Sequence, residues 1–310
     1  MDTLKKILSG FKNKKIVVVG DIILDKYLEG DVLRISPEAP VPVIKIEKEF
    51  YRIGGAGNVA LNIASLGGSA CLFSFAGKDA ESQILKELLK EGRVENYLDV
   101  SATTIQKVRL IGRSQQLLRF DKEDDKGKIF SEEVKKIMLE KIDEADIILI
   151  SDYAKGTITE DIMKFLESYK TKIIVDPKPQ NKLFYKGVFL ITPNEMESLQ
   201  MSSCLNVQDA GRFLKKEFNS NILITRGEKG SFLFSDSEAE IPTCVKEVYD
   251  VTGAGDTVVA TISLAVASNA PLDKAALIAN YAAGIAVEKK GTYAVGFEEL
   301  YDKVLSEEEK

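Results

Sequence analysis

The chain has 310 residues, is 45% hydrophobic and carries a net charge of −6, so it can bury a large core; a disordered chain is excluded and nucleic acid is not an expected partner. It contains no histidine, which removes Ser-His-Asp triads, His-ligated metals and imidazole bases, and Cys71, Cys204 and Cys244 lack C-x-x-C spacing and read as buried thiols. No apolar run reaches about 18 residues and "MDTLKKILSGFKNKK" is too short in apolar content for a signal segment, so a cytoplasmic enzyme without membrane contact is expected.

In chain order, "KIVVVGD" reads as a first buried strand ending at Asp21. The stretch "YLEGDVLRISPEAPVPVIKIEKEFYRIGG" then alternates apolar and charged positions around three prolines, which fits exposed antiparallel strands. We read residues 28–53 as a β-flap, to which 102–121, containing "TTIQKVRLIGRSQQLLRFD", could pair. Strict alternation would place Lys107, Arg109 and Arg113 on one face, provided no bulge intervenes.

Between the flap halves, "GAGNVA" at Gly55 to Ala60 matches the dinucleotide fingerprint, with Asp79 near the position of a ribose acid. An NAD(P)-dependent oxidoreductase is therefore a competing reading. It is weakened by the charged run "KIEKEFYRI" in front of Gly54, where a buried parallel strand is required.

Further along, "ACLFSFAG", "DIILISD", "KIIVDPK", "VFLITPN" and "NILITRG" are strand-like and alternate with helical segments such as "ESQILKELLKEG" and "SEEVKKIMLEKIDEA". That rhythm predicts an α/β fold with a mostly parallel central sheet and helices on both faces. Nothing divides the chain, so residues 1–310 read as one domain carrying a flap. Polar residues close many of these strands, Asp21, Asp152, Asp176, Asn194 and Arg226 among them, at the edge where open α/β sheets bind ligands.

Late in the chain, "DVTGAGDT" precedes the apolar run "VVATISLAVASNA". A buried helix starting near Gly255 would present unpaired amides and the positive end of its dipole to an anion. Asp256 lies in that first turn. An N-cap in a glycine turn would account for the same letters, but a carboxylate beside an anion hole also suits proton abstraction from a hydroxyl attacking phosphorus.

The segments "GGAGNVALNIASLG", "TPNEMES", "TRGEKG" and "DVTGAGDT", in this order, resemble the ribokinase/PfkB family of carbohydrate kinases over nearly the whole chain. "RISPEAPVPV", "RSQQLLRFDKE" and "SDYAKG" resemble a branch acting on heptose 7-phosphate in lipopolysaccharide core synthesis. Many members of that branch are fused to a nucleotidyltransferase domain with an H-x-G-H motif; a chain without histidine resembles the kinase alone.

The resemblance implies a ribokinase-like fold, ATP and Mg²⁺ as cofactors, K⁺ as a further ion, and phosphorylation of the sugar phosphate at O1. It implies Asp256 as catalytic base and the amides of Gly253, Ala254 and Gly255 as anion hole. Asn194 and Glu197 would organise Mg²⁺ through water, while Thr225, Gly227, Gly230 and Asn280 would hold the nucleotide. Asp250 and Thr252, with Gly291 and Thr292 nearby, would serve a monovalent cation. Asp25, Gly54, Gly55 and Asn58 would bind the sugar, which turns the apparent dinucleotide fingerprint into a sugar site. A phosphorylated substrate further asks for positive charge far from ATP, for which Lys107, Arg109, Arg113 and Lys178 are candidates. A kinase for fructose phosphate or ribose is the alternative within the family. Apolar flap residues such as Val41, Val43 and Ile44 favour a homodimer formed through the flap.

Overall fold

The computed structural model describes residues 2–101, 103–113, 115–123, 126–243, 248–289 and 291–308; Cys244, Ala102 and Ser114 lie outside the described residues. The first half of the chain contains α1 (Asp2–Ser9), β1 (Lys15–Gly20), β2 (Ile22–Ile35), β3 (Pro42–Gly55) and α2 (Ala56–Ser65). It continues through β4 (Ser69–Ala76), α3 (Ala80–Glu91), β5 (Glu95–Val100), β6 (Gln106–Gly112), β7 (Gln115–Lys122) and α4 (Glu132–Glu144). Next come β8 (Ile147–Ser151), α5 (Glu160–Phe165), β9 (Ile173–Asp176), β10 (Leu190–Ile191), α6 (Glu195–Ser202), α7 (Val207–Phe218) and β11 (Asn221–Thr225). The chain closes with β12 (Ser231–Phe234), β13 (Glu238–Ile241), α8 (Ala254–Ala267), α9 (Leu272–Val287) and α10 (Phe297–Glu308).

Nine strands form the main sheet in the order β13-β12-β11-β10-β9-β8-β1-β4-β5. Only the pairs β11–β12 and β12–β13 run antiparallel. Alternation inside the apolar runs divides the core into two layers. Val17, Val19, Ile148 and Ile150 pack with α4, α5 and α7, while Ile16, Val18, Leu149 and Ile174 pack with α2, α8 and α9. Helix α8 is apolar nearly all round because it is buried between α2 and α9. That burial fixes where its first turn points. Among the described residues no helix is long and apolar enough to cross a membrane.

A second sheet has the order β3-β2-β6-β7. Its arms begin earlier than the pattern suggests: β2 and β3 are rooted through buried Ile22, Leu24 and Ile53 before they reach solvent. The pairing also differs from an all-antiparallel flap, since β2 runs parallel to β6. Bulges at Glu29/Gly30 and Val32/Arg34 twist the long hairpin. Its outer part exposes Leu33, Ile35, Val41, Leu118 and Phe120, whereas Val43 and Ile44 are half-buried. Cys71 is buried and Cys204 is partly so; burial pushes the Cys71 thiol up to about 12, an inert side chain.

Candidate active site

The carboxyl ends of β1, β8, β9 and β11 and the start of α8 converge on one edge of the main sheet. Gly253 caps α8 with φ +79°, a left-handed turn, and a Cβ there would lie 2.9 Å from Asn58 Nδ2. Glycine thus admits the amide of Asn58, which donates to Asp256 Oδ2 at 2.7 Å. The Tyr153 hydroxyl donates to Asp256 Oδ1 at 2.6 Å. Asn62 and Thr257 extend this network between α2 and α8: Thr257 Oγ1 donates to Asn62 Oδ1 at 3.1 Å. Asp256 is 4% exposed, yet it faces a pocket of about 150 Å³ rather than the apolar core. Burial pushes its carboxyl up to about 6, against the pull of Asn58, Tyr153 and Lys107 and with some help from Asp25. A carboxylate so placed is ionised at neutral pH and is a competent proton acceptor.

Around it, the expected anion hole is smaller than the sequence suggests. The Ala254 amide donates to Val251 O at 3.2 Å because the chain closes a turn there, which takes it away from any ligand. Among the described residues the amides of Gly253 and Gly255 have no partner. An added Cβ at Gly255 would meet nothing within 4 Å, so the packing does not demand glycine and the open side faces the pocket.

The pocket is continuous with a cleft of about 490 Å³, since Thr225, Gly255 and Val258 line both. Gly227, Gly230 and Asn280 line this cleft too, and Val248, Val251 and Val287 give it apolar walls. Its volume suits a nucleoside. Asn280 is held by its amide donating to Pro242 O at 3.0 Å.

Asn194 and Glu197 form a reciprocal capping box on α6: Glu197 N donates to Asn194 Oδ1 at 2.9 Å and Asn194 N to Glu197 Oε2 at 3.0 Å. The other Glu197 oxygen pairs with Lys178. Lys178 lines the pocket beside Asp256 and does not stand far from the transfer site, as a distant sugar-phosphate ligand would. Although burial works against its charge, Asp176 and Glu197 raise the Lys178 ammonium above its ordinary value. In the sequence Asp176 stands out only as a strand-end residue. Its carboxylate has no hydrogen-bond partner among the described residues, lines the pocket, and is pushed well above the usual carboxylate range by burial, with Lys178 opposing. Among the described residues no three His, Cys, Asp or Glu side chains form a metal cage. A hydrated divalent cation requires only one or two carboxylates besides water and phosphate, and Asp176, Glu197 and Asn194 bring oxygen atoms of that kind to the pocket lining.

On the flap side, Asp25 is buried and paired with Arg109 at 2.5 Å. Gly54 leaves it room, since a Cβ there would lie 2.4 Å from Asp25 Oδ2. Arg109 is consequently a neutralised partner of Asp25 and not a free phosphate-binding cation. Lys107 shares the face of Arg109 and lies over Tyr153, its ammonium lowered by burial and partly restored by Asp25. Arg113 does not join them. Strand β6 ends at Gly112 after a register shift at Leu110/Ile111, and Arg113, with φ +49°, donates to Val32 O at 3.2 Å on the exposed side.

Asp250 accepts the amides of Thr252 and Gly291 at 2.9 and 2.8 Å. Burial favours its neutral form, but these bonds and Arg109 outweigh it and hold the carboxyl below its ordinary value. Arg52, at the root of β3, donates to Thr292 O at 2.6 Å, which ties this corner to the flap.

The dinucleotide reading fails on topology. Gly55 ends β3, an antiparallel edge strand of the small sheet, and its φ of +60° serves close packing, with an added Cβ only 2.2 Å from Asp21 O. The strand that leads directly into the fingerprint is largely exposed and antiparallel to its neighbour.

The pfkB family carbohydrate kinase profile matches residues 13–299. A protein named bifunctional protein HldE from Methylococcus capsulatus is 40% identical over 305 residues, 95% of this chain and 64% of that protein. The HldE of Shewanella sp. strain ANA-3 is 41% identical over 311 residues, 96% of this chain and 65% of its own length. The chain thus spans just under two thirds of these curated relatives. Among solved structures, phosphofructokinase-2 from Escherichia coli in complex with potassium superposes with a TM-score of 0.77 at 20% identity, covering 94% of this chain and 98% of that one. Arabidopsis thaliana ribokinase complexed with ribose and ATP gives 0.75 at 19%, covering 94% and 99%. With the sheet order, the cleft and the buried acid at the head of α8, these matches place the chain in the pfkB family of carbohydrate kinases.

Proposed function

We propose that the chain transfers the γ-phosphoryl group of ATP to O1 of D-glycero-β-D-manno-heptose 7-phosphate, giving the 1,7-bisphosphate and ADP. The observation that carries the transfer chemistry is Asp256, buried, doubly hydrogen-bonded and open to the pocket that continues into the cleft. Asp256 accepts the proton of the anomeric hydroxyl. The amides of Gly253 and Gly255, unpaired among the described residues, stabilise the charge on the migrating group. Thr225, Gly227, Gly230 and Asn280 bind the nucleotide along the cleft. Asp176, Glu197 and Asn194 would hold Mg²⁺, which when bound neutralises and orients the phosphates. Asp250 and Thr252 are the proposed surroundings of K⁺.

The acceptor is argued from the flap. Asp25, Gly54, Gly55 and Asn58 bind the sugar, and Lys107, supported by the Asp25–Arg109 pair, meets its phosphate. The heptose reading rests on the flap segments that resemble the heptose branch and on HldE relatives that match 95% and 96% of the chain. We place the activity in the cytoplasm and propose a homodimer through the exposed apolar flap.

The test is incubation of purified protein and Mg-ATP with heptose 7-phosphate, fructose 6-phosphate or ribose, with phosphorus NMR locating the new ester. A signal at O1 of the heptose is expected. Turnover of fructose 6-phosphate or ribose without heptose turnover would leave the kinase and overturn its substrate.

A further inference from the structure

Tyr153 joins the flap, the main sheet and α8 at one side chain. Its hydroxyl donates to Asp256 Oδ1 at 2.6 Å. Its ring lies 5.5 Å from Lys107 Nζ of β6 and 5.5 Å from Lys178 Nζ beyond β9.

The loop that delivers it is fixed from beneath. Fully buried Asp21 accepts the amides of Tyr153 and Lys155 at 3.0 Å and of Thr157 at 2.9 Å. Asp152 accepts the Ala154 amide at 2.6 Å, and Ala154 holds a left-handed φ of +54°. Two buried acids and a strained residue thus hold a single turn of backbone. What that turn presents to the pocket is one phenol.

Asp256 needs its carboxylate aimed at the acceptor hydroxyl, and the last torsion of an aspartate is broad unless its oxygens are held. Asn58 holds one oxygen and Tyr153 the other. We propose that Tyr153 is a positioning residue for phosphoryl transfer, its hydroxyl aiming the Asp256 carboxylate while its ring holds one ammonium group from the flap and one from the main sheet. The proposal rests on the reading of Asp256 as the base.

Tyr153→Phe keeps the ring and both lysine contacts and deletes the hydrogen bond. With any sugar phosphate the enzyme turns over, kcat should fall about 10- to 100-fold, the range of a lost bond to a charged group. The KM for both substrates should stay within about threefold, and calorimetric ATP affinity and the melting temperature should stay close to those of the parent. Tyr153→Leu should further raise the sugar-phosphate KM, because the ring is gone. If Tyr153 acts through Asp256, adding Tyr153→Phe to Asp256→Asn should lower kcat by less than about twofold more. A parental kcat for Tyr153→Phe beside an inactive Asp256→Asn refutes the proposal alone, as does an undiminished further loss in the double variant. Near-full turnover by Asp256→Asn removes the base, and the proposal goes with it.

Discussion

The two sheets meet water on opposite terms. Every residue of β8 is buried, whereas every residue of β7 is exposed. The groups they carry differ in the same way. At the main-sheet edge, Asp21, Asp152 and Asp256 are buried and held by directed hydrogen bonds. On the flap, Lys26 and Arg119 sit in partly exposed ion pairs with Glu49 and Asp121. Directed bonds in a dry setting fix geometry, while exposed pairs each contribute little and exchange readily with water or a ligand. Changes at the sheet edge should therefore appear in kcat, and changes on the flap in the KM of the sugar phosphate.

The sharpest way to break this division is Asp256→Asn, expected to lower kcat about 10²- to 10⁴-fold with little change in either KM. The same residue sets the acid limb of the parent. As pH falls through about 6 the carboxylate takes up a proton, so activity should decline about tenfold per pH unit below that point. Stability moves the other way. A folded-state pKa raised above the unfolded value means that the ionised form opposes folding at neutral pH, and protonation relieves this as pH falls. The neutral amide in Asp256→Asn should consequently raise the unfolding free energy at pH 7.5 by about 1–3 kcal/mol, measured by urea denaturation. A variant that is inactive and also less stable would contradict this reading of the site.

Next in size is Gly255→Ala. The helix gains, because alanine is favoured over glycine by about 1 kcal/mol in a helix, and the added Cβ meets no atom of the protein. The folded chain should hold or improve its melting temperature while kcat drops about 10- to 100-fold, as a methyl group displaces the phosphoryl group from the amide. Parental activity would mean that the migrating group lies elsewhere.

Much of this edge can be read in the linear chain because its determinants are local. A glycine turn before an apolar helix announces α8 and its open amides, and strand ends announce Asp21, Asp152 and Asp176. The capping box in "NEME" is equally local, with Asn194 and Glu197 three residues apart. What local pattern cannot carry is who meets whom. Arg109 is silenced by Asp25 across 84 positions, and Tyr153 reaches Asp256 across 103. The amide of Ala254 is taken by a turn bond whose geometry no residue type dictates. Strand β10, reduced to two residues, and β5, with its polar alternation, likewise depend on neighbours in the sheet.

The flap tests the other half of the division. Lys107→Ala removes a half-buried ammonium with no carboxylate bonded to it among the described residues, and should raise the sugar-phosphate KM about tenfold while leaving ATP binding within about twofold. Arg113→Ala is the control that alternation alone would have ranked equal to it. Had β6 continued without interruption, residues 107, 109 and 113 would share one face, but the register shift and the left-handed turn send Arg113 to Val32 O on the exposed side. Its removal should change neither KM by more than about twofold, since an exposed bond to a carbonyl is readily replaced by water. A tenfold rise in sugar-phosphate KM for Arg113→Ala would mean that the flap folds over during turnover far enough to carry its outer side to the substrate, and the separation of a fixed transfer edge from an adjustable flap would no longer describe this kinase.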